Sequence, residues 1–224
     1  MKNSIFIFFG APGAGKGSLS KLCVNEFGWT QLSTGNLCRK HIEDQTEIGK
    51  KIDFDTKSGK LISDSLISEM VEDWLINGKD NNQLILDGYP RTLAQAEFLH
   101  DLLRNKLSHY DLKIIKLDVS EKTLIARLVN RLVCSNKKCQ AVYSSLGNSS
   151  HIPKDIKLCD NCSSLLIRRN DDSAEVVKER LEIYNKNEKD LINFYKSLNI
   201  NLIKLDVDKP INEIFEDFRK IVSP

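Results

Sequence analysis

The stretch that most narrows what this chain can become is Gly10-Ala-Pro-Gly-Ala-Gly-Lys-Gly-Ser18. It follows the apolar run Ile5-Phe6-Ile7-Phe8-Phe9, which reads as a buried strand, and leads into Ser18-Leu19-Ser20-Lys21-Leu22-Cys23-Val24, which reads as an amphipathic helix. Strand, glycine loop and helix together form the context of a phosphate-binding loop. Glycines let successive backbone N–H groups turn inward around anionic oxygens, and the helix N-terminus adds partial positive charge. Lys16 reaches the β- and γ-phosphates as a point charge, and Ser18 offers a hydroxyl near the metal. The pattern G-x-x-x-x-G-K-[ST] is met through Lys16, but Gly17 fills the Ser/Thr slot and the hydroxyl comes one residue later. A glycine-rich turn with no ligand is the alternative. Four glycines, a lysine and the flanking periods together argue against it.

Composition sets outer bounds. At 224 residues the chain can bury a sizeable core in one or two domains. A net charge of +2 gives no global field that singles out nucleic acid or membrane, so neither is expected as a partner. No run of 18 apolar residues spans a bilayer, and a signal peptide starting at residue 5 would lose the glycine loop on cleavage. A cytoplasmic location is the expectation. There, six cysteines point to metal or free thiols before disulfides.

Apolar runs and helical periods alternate along the chain. Strands are expected at 30–32, 83–86, 111–119 and 201–205, and helices at 63–76, 92–103, 121–132, 173–198 and 211–222. Such alternation implies a parallel sheet with helices on both faces. Ligands then sit beyond the carboxyl ends of the strands, so the glycine loop and Asp87-Gly88-Tyr89-Pro90-Arg91 are expected to face one crevice. Residues 40–60 are charged, carry few large apolar groups and read as a flap outside the core. Residues 133–172 break the alternation and read as an inserted module.

Asp87 directly follows an apolar strand, where a carboxylate suits Mg²⁺, which prefers waters, phosphates and one or two carboxylates. Arginines are scarce, 9 against 24 lysines, so their positions are informative. Arg127 and Arg131 are spaced i, i+4, as on one face of one helix. Arg39, Arg91 and Arg169 fall in loops or at element ends, and Arg180 on the long helix. Guanidinium groups clamp phosphate oxygens bidentately and stay charged. Cys134-(x4)-Cys139 and Cys159-(x2)-Cys162 form a two-plus-two set suited to a closed, structural Zn²⁺ site, whose binding would supply folding energy to a small polar module. Unliganded thiols or iron remain alternatives. Cys23 and Cys38 read as packing residues. Thr92-Leu-Ala-Gln95 is a capping-box pattern, and spacing alone favours a cap for Gln95. The four histidines form no cluster with a serine or carboxylate. Asn148-Ser-Ser matches a glycosylation pattern that a cytoplasmic chain would not use.

The order and spacing of these motifs resemble the adenylate kinase family, the nucleoside monophosphate kinases with a long lid, over essentially the whole chain. The stretches that carry the resemblance are Gly10 to Ser18, Leu32-Ser-Thr-Gly-Asn-Leu-Cys-Arg39, Gly59-Lys-Leu-Ile-Ser-Asp64, Leu86-Asp-Gly-Tyr-Pro-Arg-Thr92, Arg127-Leu-Val-Asn-Arg131, the four cysteines, Arg169-Asn-Asp-Asp172 and Arg180. The resemblance implies a five-stranded parallel-sheet P-loop core at 1–32, 63–129 and 173–224. It adds a helical monophosphate-binding flap at 33–62 and a zinc-stabilised lid at 130–172. It implies ATP + AMP ⇌ 2 ADP with Mg²⁺, in a monomer. By position, Gly13, Ala14, Gly15, Lys16, Gly17 and Ser18 hold the ATP phosphates. Arg127 flanks the ATP base, Arg131 contacts its phosphates, and Val142, Tyr143 and Lys209 border base and ribose. Thr34, Arg39, Lys60, Leu61, Ile62, Gly88, Tyr89, Pro90, Arg91 and Gln95 bind AMP, Gln95 now reading the adenine instead of capping. Arg169 and Arg180 bridge toward the transferring phosphoryl, and Lys16, Arg91, Arg131, Arg169, Arg180 and Asp87 form the catalytic set. Asn36 stands where the family usually has aspartate, which implies a weaker hold on magnesium.

Other readings remain open at the level of sequence. A relative could use GTP as donor, or UMP or CMP as acceptor, although the long cysteine-bearing lid disfavours the latter. From another class, the chain could be a nucleotide-gated binding module with a zinc lid, for which the full arginine set would be superfluous.

Overall fold

The computed structural model describes residues 3–57, 62–77, 83–136, 139–146, 151–169 and 172–222. Its elements run β1 (Ser4–Phe9), α1 (Lys16–Phe27), β2 (Thr30–Ser33), α2 (Thr34–Glu43), α3 (Glu47–Lys57), α4 (Asp64–Asn77), β3 (Gln83–Asp87) and α5 (Leu93–Asn105). They continue with β4 (Asp111–Asp118), α6 (Glu121–Val129), β5 (Arg131–Cys134), β6 (Val142–Ser144), β7 (Leu166–Ile167), α7 (Ala174–Ser197), β8 (Leu202–Asp206) and α8 (Ile211–Val222). Five strands form a parallel sheet in the order β2-β3-β1-β4-β8, flanked by helices. All six residues of β1 are buried, as expected of a central parallel strand covered on both faces. The chain leaves β1 toward β2 and β3 toward β4, so the strand order reverses between these two neighbours. Open α/β sheets take ligands at such a reversal.

By contacts the chain divides into two compact units. One comprises 1–9, 20–116 and 186–203. In it β1 pairs with β3 from Ser4↔Gln83 to Phe8↔Asp87, and with β4 from Ser4↔Asp111 to Phe9↔Lys116. Thr92 caps α5 by accepting from Gln95 N–H at 3.3 Å, and Ser63 Oγ caps α4 through Leu66 N–H. The 40–57 segment departs from the expectation of a stretch outside any core, because Ile52 is 1% exposed. Two short helices, α2 and α3, close on each other around the Thr46 corner. There Gly49 N–H bonds Thr46 Oγ1, and a Cβ on Gly49 would overlap the His41 carbonyl.

The other unit comprises 10–19, 117–185 and 204–224. Here the expected helix 121–132 is shorter: α6 ends at Val129, and Arg131 begins a strand. Arg127 and Arg131 therefore do not share a helical face. The cause is visible in the burial of β5, where Leu132 and Cys134 point inward and Arg131 and Val133 less so, a period of two that suits a strand. That strand is the middle of a small antiparallel sheet, β6-β5-β7, registered Leu132↔Tyr143 and Cys134↔Leu166. Its core is Leu132, Cys134, Ala141, Tyr143 and Cys159, with Cys139 and Leu166 packed against it.

Candidate active site

The glycine loop leaves β1 and feeds α1, which begins at Lys16 itself. Gly13 and Gly15 take φ of +86° and +92°, a region that L side chains rarely occupy. Ala14 N–H bonds the Ala11 carbonyl at 3.1 Å, closing the turn. The Lys16 ammonium donates to the Gly10 carbonyl at 2.6 Å and to the Ala11 carbonyl at 3.0 Å. No acidic residue stands in the first turn of α1, so nothing there offsets the positive helix end. Gly17 is exposed and Ser18 half-buried.

Arg131 and Arg180 converge on one carboxylate. Asp172, its side chain 4% exposed, accepts from Arg131 through both oxygens, the Nε contact being 2.7 Å, and from Arg180 Nη1 at 3.4 Å. Arg169 lies half-buried three residues upstream, its carbonyl accepting from Asp172 N–H. Arg127 Nη2 donates to the Val207 carbonyl at 2.6 Å. Burial pulls its pKa down while the neighbouring Asp208 opposes that. Lys209 pairs with Asp217, and that hydrogen bond raises the Lys209 pKa. Val142 is half-buried, but Tyr143 points into the small sheet's core, its hydroxyl accepting from Asp160 N–H at 3.0 Å and lying 3.5 Å from Cys159 Sγ. Among these two, Val142 is the side chain left at the surface.

In the first unit, Thr34 Oγ1 donates to the Gly88 carbonyl at 3.1 Å, and Arg91 Nε donates to the same oxygen at 2.7 Å. Arg91 and Arg39 are exposed, and Arg39 donates to the Asn36 side-chain carbonyl. The half-buried Cys38 lies near both: burial pushes its thiol pKa up, and the two guanidinium groups partly counter this. Asp87, at the end of β3, accepts from Gln31 Nε2 at 3.1 Å through one oxygen. Tyr89 is buried before a cis Pro90. Its hydroxyl donates to the Gln95 carbonyl and shares a 2.8 Å bond with Ser68. Burial raises its pKa to about 12. Gln95 uses its side chain differently from a capping box: Oε1 accepts from Arg91 N–H, and Nε2 donates to Asp64 Oδ1. Ile62 is half-buried. Lys60 and Leu61 lie outside the described residues.

The four cysteines meet. The sulfurs of Cys134, Cys139, Cys159 and Cys162 all lie within 4.8 Å of one another, with Cys134–Cys162 at 3.4 Å and Cys139–Cys159 at 3.7 Å. None is in a disulfide, and together they could hold a metal ion. Hydrogen bonds from Ser164 lower the Cys162 pKa to about 6, toward the thiolate form that a metal takes.

Three carboxylate and amide partners escaped the sequence reading: Asp64 and Asp172, each quoted in a motif without a role, and Gln31. All three act through tertiary contacts that span 28 to 56 residues or hold groups from different elements, beyond any local spacing rule.

Comparison with known proteins agrees with this arrangement. The adenylate kinase family model matches residues 8–200. An adenylate kinase of Clostridium tetani is 38% identical over 221 residues, covering 97% of each chain. One from Borrelia recurrentis is 38% identical over 218 residues, 97% of this chain and 95% of the relative. One from Methanosarcina mazei is 36% identical over 217 residues, 97% of each.

Proposed function

Since the chain belongs to the adenylate kinase family, we propose that it transfers a phosphoryl group reversibly between adenine nucleotides, ATP + AMP ⇌ 2 ADP. The observation that carries this is likeness over nearly the full length of relatives bearing that name. A phosphate-type loop with its lysine, and a pair of arginines held on Asp172, support it.

The division of labour is as follows. Gly13 to Ser18 cradle the ATP phosphates with backbone N–H groups and the end of α1. Arg127, Val142, Tyr143 and Lys209 border the donor base and ribose, Tyr143 through its backbone. Thr34, Arg39, Lys60, Leu61, Ile62, Gly88 to Arg91 and Gln95 take AMP. An oxygen of the AMP phosphate attacks the γ-phosphorus in line. That P–O bond forms as the bond to the β-bridging oxygen breaks, and ADP leaves on each side. No protein nucleophile takes part, and catalysis is positioning and charge. Lys16, Arg91, Arg131, Arg169 and Arg180 neutralise the oxygens of the moving group. Asp172 keeps Arg131 and Arg180 in one geometry before nucleotide arrives.

Adenylate kinases use Mg²⁺ with ATP, and the ion offsets phosphate charge when bound. Asp87 fits its waters, since only one of its oxygens is engaged by Gln31. The cysteine set fits zinc: tetrahedral Zn–S bonds of about 2.3 Å place sulfurs about 3.8 Å apart, against 3.4 and 3.7 Å here. Four protein ligands leave no open position, so that ion would hold the lid together and take no part in transfer. In this reading residues 33–62 form a monophosphate flap and 130–172 a lid on a core of 1–32, 63–129 and 173–224. Their closing excludes water, which would otherwise accept the phosphoryl group. The enzyme acts as a monomer in the cytoplasm, where cysteines outside disulfides are at home.

A coupled assay for ADP from ATP plus AMP, run against GTP, UMP and CMP, tests the reaction and both bases. Lys16→Ala should abolish turnover. Retained turnover would remove the loop from the mechanism.

A further inference from the structure

The carboxamide of Gln95 is gripped at both ends. Oε1 accepts from the Arg91 backbone N–H at 2.7 Å, and Nε2 donates to Asp64 Oδ1 at 2.7 Å. Asp64 is itself fixed, because its other oxygen accepts from Thr92 Oγ1 at 2.8 Å. Thr92 is the cap of the helix that carries Gln95, and the Gln95 carbonyl accepts from Tyr89 OH at 3.1 Å. Backbone, cap and side chain are thus tied into one network. A backbone N–H only donates and an ionised carboxylate only accepts. Turning the amide over would set donor against donor and acceptor against acceptor. At 5% exposure water cannot repair such a mismatch cheaply.

We propose that Asp64 is a positioning residue that sets the base preference of the monophosphate site by fixing the direction of the Gln95 amide. This rests on the reading that Gln95 meets the acceptor base. The network leaves Gln95 one hydrogen on Nε2 and one acceptor direction on Oε1, in a fixed order. Adenine presents a ring-nitrogen acceptor beside an amino donor. Hypoxanthine and guanine present a ring N–H beside a carbonyl, the reverse order at the same edge. An amide free to flip satisfies either base, whereas one held by Asp64 and Arg91 satisfies one.

The test compares AMP with IMP as acceptors at saturating ATP, with IMP competition against AMP where turnover is too slow to follow. Asp64→Asn keeps the shape but can turn a donor toward Gln95, so a flipped amide meets one mismatch, at the Arg91 N–H, instead of two. The AMP:IMP ratio of kcat/KM is expected to fall about tenfold, equivalent to about 1.4 kcal/mol, with KM for ATP unchanged. A merely structural role for Asp64 would lower both acceptors together and leave the ratio intact. Thr92→Val, which releases the far oxygen of Asp64, should shift the ratio the same way by less, and it decides the matter if Asp64→Asn does not fold. Gln95→Ala separates the two layers. If it loses discrimination while both other variants keep the native ratio, the positioning role is overturned. If it keeps the ratio, Gln95 does not read the base and the inference falls with that reading.

Discussion

Gly13→Ala and Gly15→Ala form a matched pair, because the two glycines share a backbone region and differ in surroundings. A Cβ at Gly13 would lie 2.9 Å from Leu128 Cγ and 3.1 Å from the Leu124 carbonyl oxygen, whereas one at Gly15 would meet nothing within 4 Å. Placing an L-residue at their φ of +86° and +92° costs about 1–2 kcal/mol in either case. Only the Gly13 variant also drives a methyl against Leu128, which is fully buried, and against helix backbone that cannot swing aside. Overpacking of that kind adds about 1–3 kcal/mol. Gly15→Ala should therefore lower the unfolding free energy by about 1–2 kcal/mol and Gly13→Ala by about 2–5 kcal/mol. At this chain length the milder variant melts about 2–8 °C below the parent. Urea and thermal unfolding of the nucleotide-free proteins, followed by circular dichroism, measure both. If Gly13→Ala proves no more costly than Gly15→Ala, the packing of this loop on α6 is not as described.

The remaining expectations are brief. Purified protein should carry one zinc per chain, and stripping it should expose four further thiols to titration and make 130–172 sensitive to protease; protein that lacks zinc while its thiols are fully reduced refutes that ion. Burial raises the phenols of Tyr89, from 10.0 to about 12, and of Tyr195. The stability each gives by staying neutral is complete below pH 10 and is lost as pH rises toward the folded value, at about 1.4 kcal/mol per pH unit per group. Alkaline unfolding followed by phenolate absorbance checks this, and Tyr89→Phe should remove one proton from the slope. Asn36→Asp should lower the magnesium requirement. Because Arg39 already donates to Asn36, it should also raise KM for AMP by tying that guanidinium to an anion; an unchanged or raised magnesium requirement counts against the first part.

Legibility in the sequence followed the range of the forces involved. The glycine loop was readable because its demands are local: positive φ at Gly13 and Gly15, a strand before and a helix after. The cysteine set was readable because two short turns can be recognised separately, even though 19 residues divide them. Arg131 was misplaced because the apolar spacing of α6 continues past Val129. What ends the helix is pairing with Val142–Ser144, more than ten residues away. Ile52 looked like one apolar residue in a polar stretch until α2 and α3 closed around it. Thr92-x-x-Gln95 was half right. The threonine caps, but the glutamine reaches past the cap to Arg91 and sideways to Asp64, and no spacing rule contains an aspartate 31 residues upstream.

Lys16 carries a thermodynamic consequence. A lysine side chain gives up about 2 kcal/mol of rotamer freedom when it is fixed. Here two carbonyls of its own loop hold the ammonium at 2.6 and 3.0 Å. That disorder is surrendered when the chain folds and not again when ATP arrives. The two carbonyl bonds offset that loss in the folded protein, and phosphate oxygens that take the ammonium must replace them, so donor binding gains only the difference between the two sets of bonds.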